Sequence, residues 1–132
     1  MKNNHFDIAP IIPNKSAAGI KLRTTKKTLK KHYGNPVEID KESTFEIWIY
    51  KNVSFWLESG KVTQIRINNL YEGKTKEGIS LGSTKSEVIA AYGELRWEGT
   101  WYIQSPPFGI GFDFGINSFG EKHVIDIYIF EQ

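Results

Sequence analysis

Apolar residues alternate with polar ones along most of the second quarter of the chain. Phe45, Ile47, Ile49, Val53, Phe55, Leu57, Ile65 and Ile67 fall at spacings that predict strands over about 45–50, 53–58 and 62–69, with these side chains on one buried face. Lys51-Asn52 and Ser59-Gly60-Lys61 separate the runs and read as hairpin turns. The same pattern returns near the C-terminus, predicting strands over about 98–103, 108–115 and 122–130, interrupted by Pro106-Pro107 and Ser118-Phe119-Gly120. Ile110, Phe112, Phe114, Ile125, Ile127 and Ile129 form the matching core face.

A short helical stretch precedes each set of strands. Thr24 or Thr25 is a suitable N-cap for the first, and Ser83 or Thr84 for the second. Thr84-Lys85-Ser86-Glu87 has capping-box spacing. Gly34 and Gly93 end the helices, because glycine readily takes the left-handed conformation that stops one.

The two stretches are also alike residue by residue. Gly19-Ile20-Lys21-Leu22-Arg23-Thr24-Thr25-Lys26 returns 59 positions later as Gly78-Ile79-Ser80-Leu81-Gly82-Ser83-Thr84-Lys85. Leu29, Tyr33 and Gly34 match Val88, Tyr92 and Gly93 in the same register. Val62 to Ile67 aligns with Val124 to Ile129 after a slightly longer loop. The expected architecture is α+β, a tandem repeat of a helix plus a three-stranded antiparallel meander. The strands would form one antiparallel sheet or two abutting sheets, with helices on one face. A single domain over 1–132 is expected, with pseudo-repeats about 16–70 and 75–131.

Composition narrows the chemistry. The chain has 14% aromatic and 24% charged residues, which suits a folded sheet protein, and no cysteine. Disulfides, thiolate metal sites and thiol nucleophiles are thereby excluded. No apolar run is long enough for a membrane span, and the short patch Ile8 to Ile12 is broken by Pro10, so the expected compartment is the cytoplasm, without membrane contact.

Candidate chemistry is sparse. Gly78-Ile79-Ser80-Leu81-Gly82 has the spacing of a nucleophile elbow, but a polar loop precedes it and Lys21 stands at the matching position of the first half. His5, His32 and His123 are scattered, and none has metal-ligand spacing. Asp113 and Asp126 fall where adjacent strands could bring them together, yet no pocket signature accompanies them. Gly109-Ile110-Gly111 precedes no helix, so a phosphate loop is not supported. No enzymatic activity, cofactor or metal is expected.

Charge is unevenly placed. Residues 15–32 hold seven Lys/Arg and no acid, whereas from residue 37 onward nine Lys/Arg stand against fourteen Asp/Glu. Lys26, Lys27, Lys30 and Lys31 would form an exposed stripe on the first helix, the basis of an alternative reading as a nucleic-acid-binding module.

The face opposite the predicted core is richer. Alternation assigns to it Glu46, Trp48, Tyr50, Trp56, Glu58, Gln64, Arg66, Tyr102, Asp113, Asp126, Tyr128 and Phe130. Large aromatics left on a solvent face suggest a binding surface, for another protein or for a second copy in a homodimer.

The pattern Gly-Ile-x-Leu, then Thr, then Val or Leu, then Tyr-Gly, followed by a meander, resembles the repeat unit of the β-lactamase inhibitor protein fold. The same unit occurs in small lipoproteins of outer-membrane assembly. This chain departs from both in lacking cysteine. Separately, Pro13-Asn14-Lys15-Ser16-Ala17-Ala18-Gly19-Ile20 is similar to the start of some bacterial immunity proteins of contact-dependent growth inhibition and related polymorphic toxin systems. That resemblance implies a partner, the cognate toxin domain, bound and blocked by this chain. For a nuclease toxin, Glu46, Glu58, Asp113 and Asp126 would stand in for phosphates, with Trp48, Trp56 and Tyr128 as anchors.

Overall fold

The computed structural model describes residues 5–97, 102–104 and 109–131. These begin with a 3-10 turn, His5–Ile8, and a small hairpin of β1 (Ser16–Ala17) and β2 (Ile20–Lys21). Helix α1 (Lys26–Tyr33) follows, then β3 (Glu38–Lys41), β4 (Glu46–Ile49), β5 (Val53–Glu58) and β6 (Lys61–Ile67). The sequence continues with α2 (Lys85–Tyr92), β7 (Leu95–Trp97), β8 (Tyr102–Gln104), β9 (Ile110–Ile116) and β10 (Lys122–Phe130). The class is α+β.

The long strands make one antiparallel sheet in the order β3-β4-β5-β6-β10-β9-β8-β7. Each helix is followed by four strands rather than three, since β3 and β7 add short outer strands. Of the predicted strand over 98–103, residues 98–101 lie outside the described residues, as does Pro106-Pro107. Strands β6 and β10 pair at the centre with Ile67 opposite Ile127 and Ile65 opposite Ile129.

Local chemistry accounts for the helix limits. Thr25 caps α1 by accepting from the Thr28 amide, and Thr84 and Glu87 form a reciprocal capping box on α2. Gly34 and Gly93 take positive φ at the helix ends, 75° and 88°. Each helix is only eight residues long and buries one side chain fully, Leu29 or Val88. Such helices hold their shape through contact with the sheet rather than through propensity.

The core face of the sheet has two cross-strand rows. One runs Trp48, Phe55, Ile65, Ile129, Ile110, and the other Val53, Ile67, Ile127, Phe112, Tyr102, Trp97. Both helices pack here. Tyr33 of α1 meets Phe55, and Tyr92 of α2 meets Phe112.

The N-terminal strap lies on the same side. Ala17 and Ala18 are buried, the Tyr33 hydroxyl donates to the Ala18 carbonyl at 2.7 Å, and the Ala18 amide donates to the Tyr71 hydroxyl at 3.0 Å. Gly109 anchors the strap to the sheet. Its carbonyl accepts from the Asn14 amide at 3.1 Å, and a Cβ on Gly109 would lie 2.6 Å from Asn14 Cα.

Two face assignments made from alternation are corrected. In β4, Glu46, Trp48 and Tyr50 lie on the core side, opposite Leu57, Phe55 and Val53, so Ile47 and Ile49 turn to the other face. Trp48 is 4% exposed. In β10 a bulge between Val124 and Asp126 buries Val124 and leaves Ile125 43% exposed.

Candidate functional site

Among the described residues no helix or hairpin covers the other face of the sheet. Its strands still alternate, so its composition follows from the register. One row is Ile47, Trp56, Gln64 and Phe130, on β4, β5, β6 and β10. The next is Ile49, Ser54, Arg66, Tyr128 and Gly111. A third pairs Asp126 directly with Asp113. All the larger side chains in these rows are partly exposed, whereas Ser54 is buried beneath its neighbours at 1%.

The centre of this face is a connected polar group. Arg66 Nη2 donates to Ser54 Oγ at 3.1 Å, and the guanidinium lies 5.7 Å from the centroid of the Trp56 ring. The Tyr128 hydroxyl donates to Asp113 Oδ2 at 2.9 Å. Asp126 lies directly opposite Asp113 and feels the Arg66 charge. Burial raises the Asp126 pKa above the usual carboxylate value. Arg66 opposes that rise, while the neighbouring Asp113 adds to it. Burial also raises the Tyr128 phenol, reinforced by Asp113, so the hydroxyl remains a donor. Arg66 Nε and Asn68 Oδ1 are buried without a hydrogen-bond partner.

Of the ten residues singled out for partner binding, the open face thus gathers Trp56, Arg66, Asp113, Asp126 and Tyr128, with exposed Glu58 at the end of β5 accepting from Thr63 at 2.9 Å. Glu46, Trp48, Tyr50 and Tyr102 lie on the helix side and are corrected from that set. Tyr102 packs between Trp97 and Phe114 in tilted and edge-on contacts at centroid distances of 5.1 and 5.5 Å. Tyr50 packs on Tyr33, and burial pushes its phenol up to about 12. Ile47, Ile49 and Phe130 belong to the open face instead. Alternation places Phe130 there correctly, but it sends the two isoleucines to the core.

Glu46 and Trp48 form a separate arrangement at the start of α1. The Trp48 indole N–H donates to Glu46 Oε1 at 2.6 Å, and Lys26 Nζ lies 3.2 Å from the same oxygen and 5.5 Å from the indole centroid. The indole hydrogen bond and then Lys26 hold the Glu46 carboxyl below its ordinary pKa, against a smaller rise from burial. A lysine at a helix N-terminus opposes the helix dipole, and Glu46 offsets that. At the start of α2, Lys85 sits likewise over Tyr102 at 4.5 Å. The basic stripe on α1 is therefore reduced to Lys27, Lys30 and Lys31, all exposed.

The remaining candidates are dispersed. The Ser80 hydroxyl donates to the Leu81 carbonyl at 3.4 Å. Among the described residues no group of three or more His, Asp or Glu side chains could hold a metal ion, and no helix is long and apolar enough to cross a membrane.

No family model and no curated protein matches the chain. Solved structures of similar fold include the following two. One is an extracellular protein containing an SCP domain from Bacillus anthracis, at 12% identity and TM-score 0.55, matched over 84% of this chain and 44% of its own. The other is a cysteine-rich secretory protein from Staphylococcus aureus, at 9% identity and TM-score 0.56, over 91% of this chain and 48% of its own. The match thus takes in less than half of each of those proteins. At these identities the likeness is one of fold.

Proposed function

We propose that this chain is a protein-binding module, not an enzyme, and that the open sheet face receives the partner. The observation that carries this reading is the row Ile47, Trp56, Gln64, Phe130 lying beside Arg66 and Tyr128 with no layer over it among the described residues. Partly exposed aromatic and aliphatic side chains around a hydrogen-bonded polar centre are the composition of an interface core. On the immunity-protein resemblance, the partner is a cognate toxin domain and the working compartment is the cytoplasm. The halves are then two copies of one unit, a reading supported by the 59-residue offset and by the matched Lys26 and Lys85 positions. The test is co-purification with the product of the adjacent effector gene, followed by titration calorimetry with Trp56→Ala and Phe130→Ala. Binding weakened by at least tenfold in each supports the reading; unchanged affinity removes the sheet face from it.

A second reading has its own observation. Two solved structures of like fold are described as extracellular or secretory, and each is more than twice the length matched here. In this reading the chain is an accessory module, and its open face packs against a larger domain. Mass spectrometry of the protein from its native cell decides between the two. A mature species near the 15.1 kDa of this chain favours the free binding module, and one about twice that size the accessory module.

A further inference from the structure

The open face carries a surplus of negative charge at its centre. Asp113 and Asp126 are direct cross-strand partners on β9 and β10, and Arg66 is the cation beside them. Arg66 is already committed to Ser54 and to the Trp56 ring. One further donor, Nε, is buried and out of an incoming partner's reach. Like charges placed directly opposite on adjacent strands repel, and Arg66 alone cannot neutralise two carboxylates. Both aspartates are partly exposed, on the same face as the partly exposed Trp56, Tyr128 and Phe130.

We propose that the partner enters this face with one arginine or lysine side chain, which seats on the Asp113–Asp126 pair while its apolar neighbours cover Trp56 and Phe130. This rests on the protein-binding reading above and names the chemistry of the anchor. Charge complementarity favours it: a partner cation supplies the positive charge that one arginine cannot give to two carboxylates, and it donates to their oxygens. The groups facing the pair are Arg66 and Asn68 at the β6 side and Tyr128 on β10, with His123 opposite Gly115 further along. Affinity therefore rises with pH as Asp126, held above its ordinary pKa by burial, loses its proton.

The experiment uses the full chain, immobilised, and a phage library of random twelve-residue peptides as the probe. Selected peptides are synthesised and mapped by amide chemical-shift changes on the labelled chain. The expected result is a recurrent Arg or Lys among peptides that perturb Trp56, Tyr128 and Asp126. Their affinity should fall at least tenfold on replacing that basic residue with Gln, and likewise with Asp113→Asn/Asp126→Asn. Asp126→Asn alone is the second variant, because the amide keeps the size of the side chain opposite Asp113 while removing one charge. Peptides that map to Trp56 and Tyr128 without a basic residue, or with affinity indifferent to both variants, overturn the anchor and leave the binding face standing. Peptides that map only elsewhere overturn both.

Discussion

The Tyr128 hydroxyl donates to Asp113 Oδ2 at 2.9 Å, tying the central strand β10 to β9 across the open face of the sheet. A half-buried carboxylate that loses such a donor is left short of a hydrogen bond. Tyr128→Phe keeps the ring and removes only the hydroxyl. It should lower stability by about 1 kcal/mol, the net worth of one such bond, as read from urea unfolding at pH 7.

Asp126 should respond to pH in the opposite sense to a salt-bridged carboxylate. Its folded-state pKa lies above the ordinary value through burial and then through Asp113, partly offset by Arg66. The associated stability is complete below the unfolded-chain value of about 4 and is lost as pH rises through the folded value. Asp126→Asn removes that loss. The variant should melt a few degrees above the parent at pH 7, and the difference should shrink towards zero as the pH approaches 4. A gap that widens on acidification would contradict the assignment.

Trp48 and Trp56 separate stability from binding. They are eight residues apart and lie on opposite faces, with Trp48 4% exposed in the core and Trp56 partly exposed over Arg66. Trp48→Ala empties a core position and should cost about 3–5 kcal/mol in denaturant unfolding. Trp56→Ala should cost about 1 kcal/mol or less and act instead on partner affinity. Equal losses of stability in the two variants would show that the sheet is covered on both sides.

The swap between those tryptophans explains what can be read in the sequence and what cannot. The alternation in β5, β6 and β9 places the core correctly, because aliphatic and polar residues there differ sharply. In β4 both faces are apolar, with Ile47 and Ile49 against Trp48 and Tyr50, and hydrophobicity alone cannot choose between them. The turn can choose. A two-residue loop at Lys51-Asn52 sets Tyr50 opposite Val53, seen in the 2.9 Å bond from the Tyr50 amide to the Val53 carbonyl, and opposite residues share a face. The bulge that turns Ile125 outward has no such sequence signal, because Val124 and Ile125 are both β-branched and apolar. The outer strand β3 is not legible in the sequence because all four of its residues are exposed and no buried face imposes alternation on Glu38–Lys41. Likewise, the segment Pro13–Ile20, which carries the immunity-protein resemblance, includes the buried alanines of the strap, so it serves the fold at those positions.

Arg23 occupies a backbone conformation that suits glycine. Its φ is 78°, and Gly82, which stands at the matching position of the second half, has φ 92°. A side chain with a Cβ is strained there and glycine is not. Arg23 is compensated by an ion pair with Glu131 at 2.7 Å, but both side chains are largely exposed, and such pairs contribute little. Relief of backbone strain in Arg23→Gly should therefore outweigh removal of the ion pair. The expected outcome is a melting temperature raised by a few degrees, with Glu131→Gln nearly neutral and the double variant no different from Arg23→Gly. A fall in melting temperature for Arg23→Gly, matched by an equal fall for Glu131→Gln, would show instead that the ion pair outweighs the backbone and holds β10 against the loop before α1.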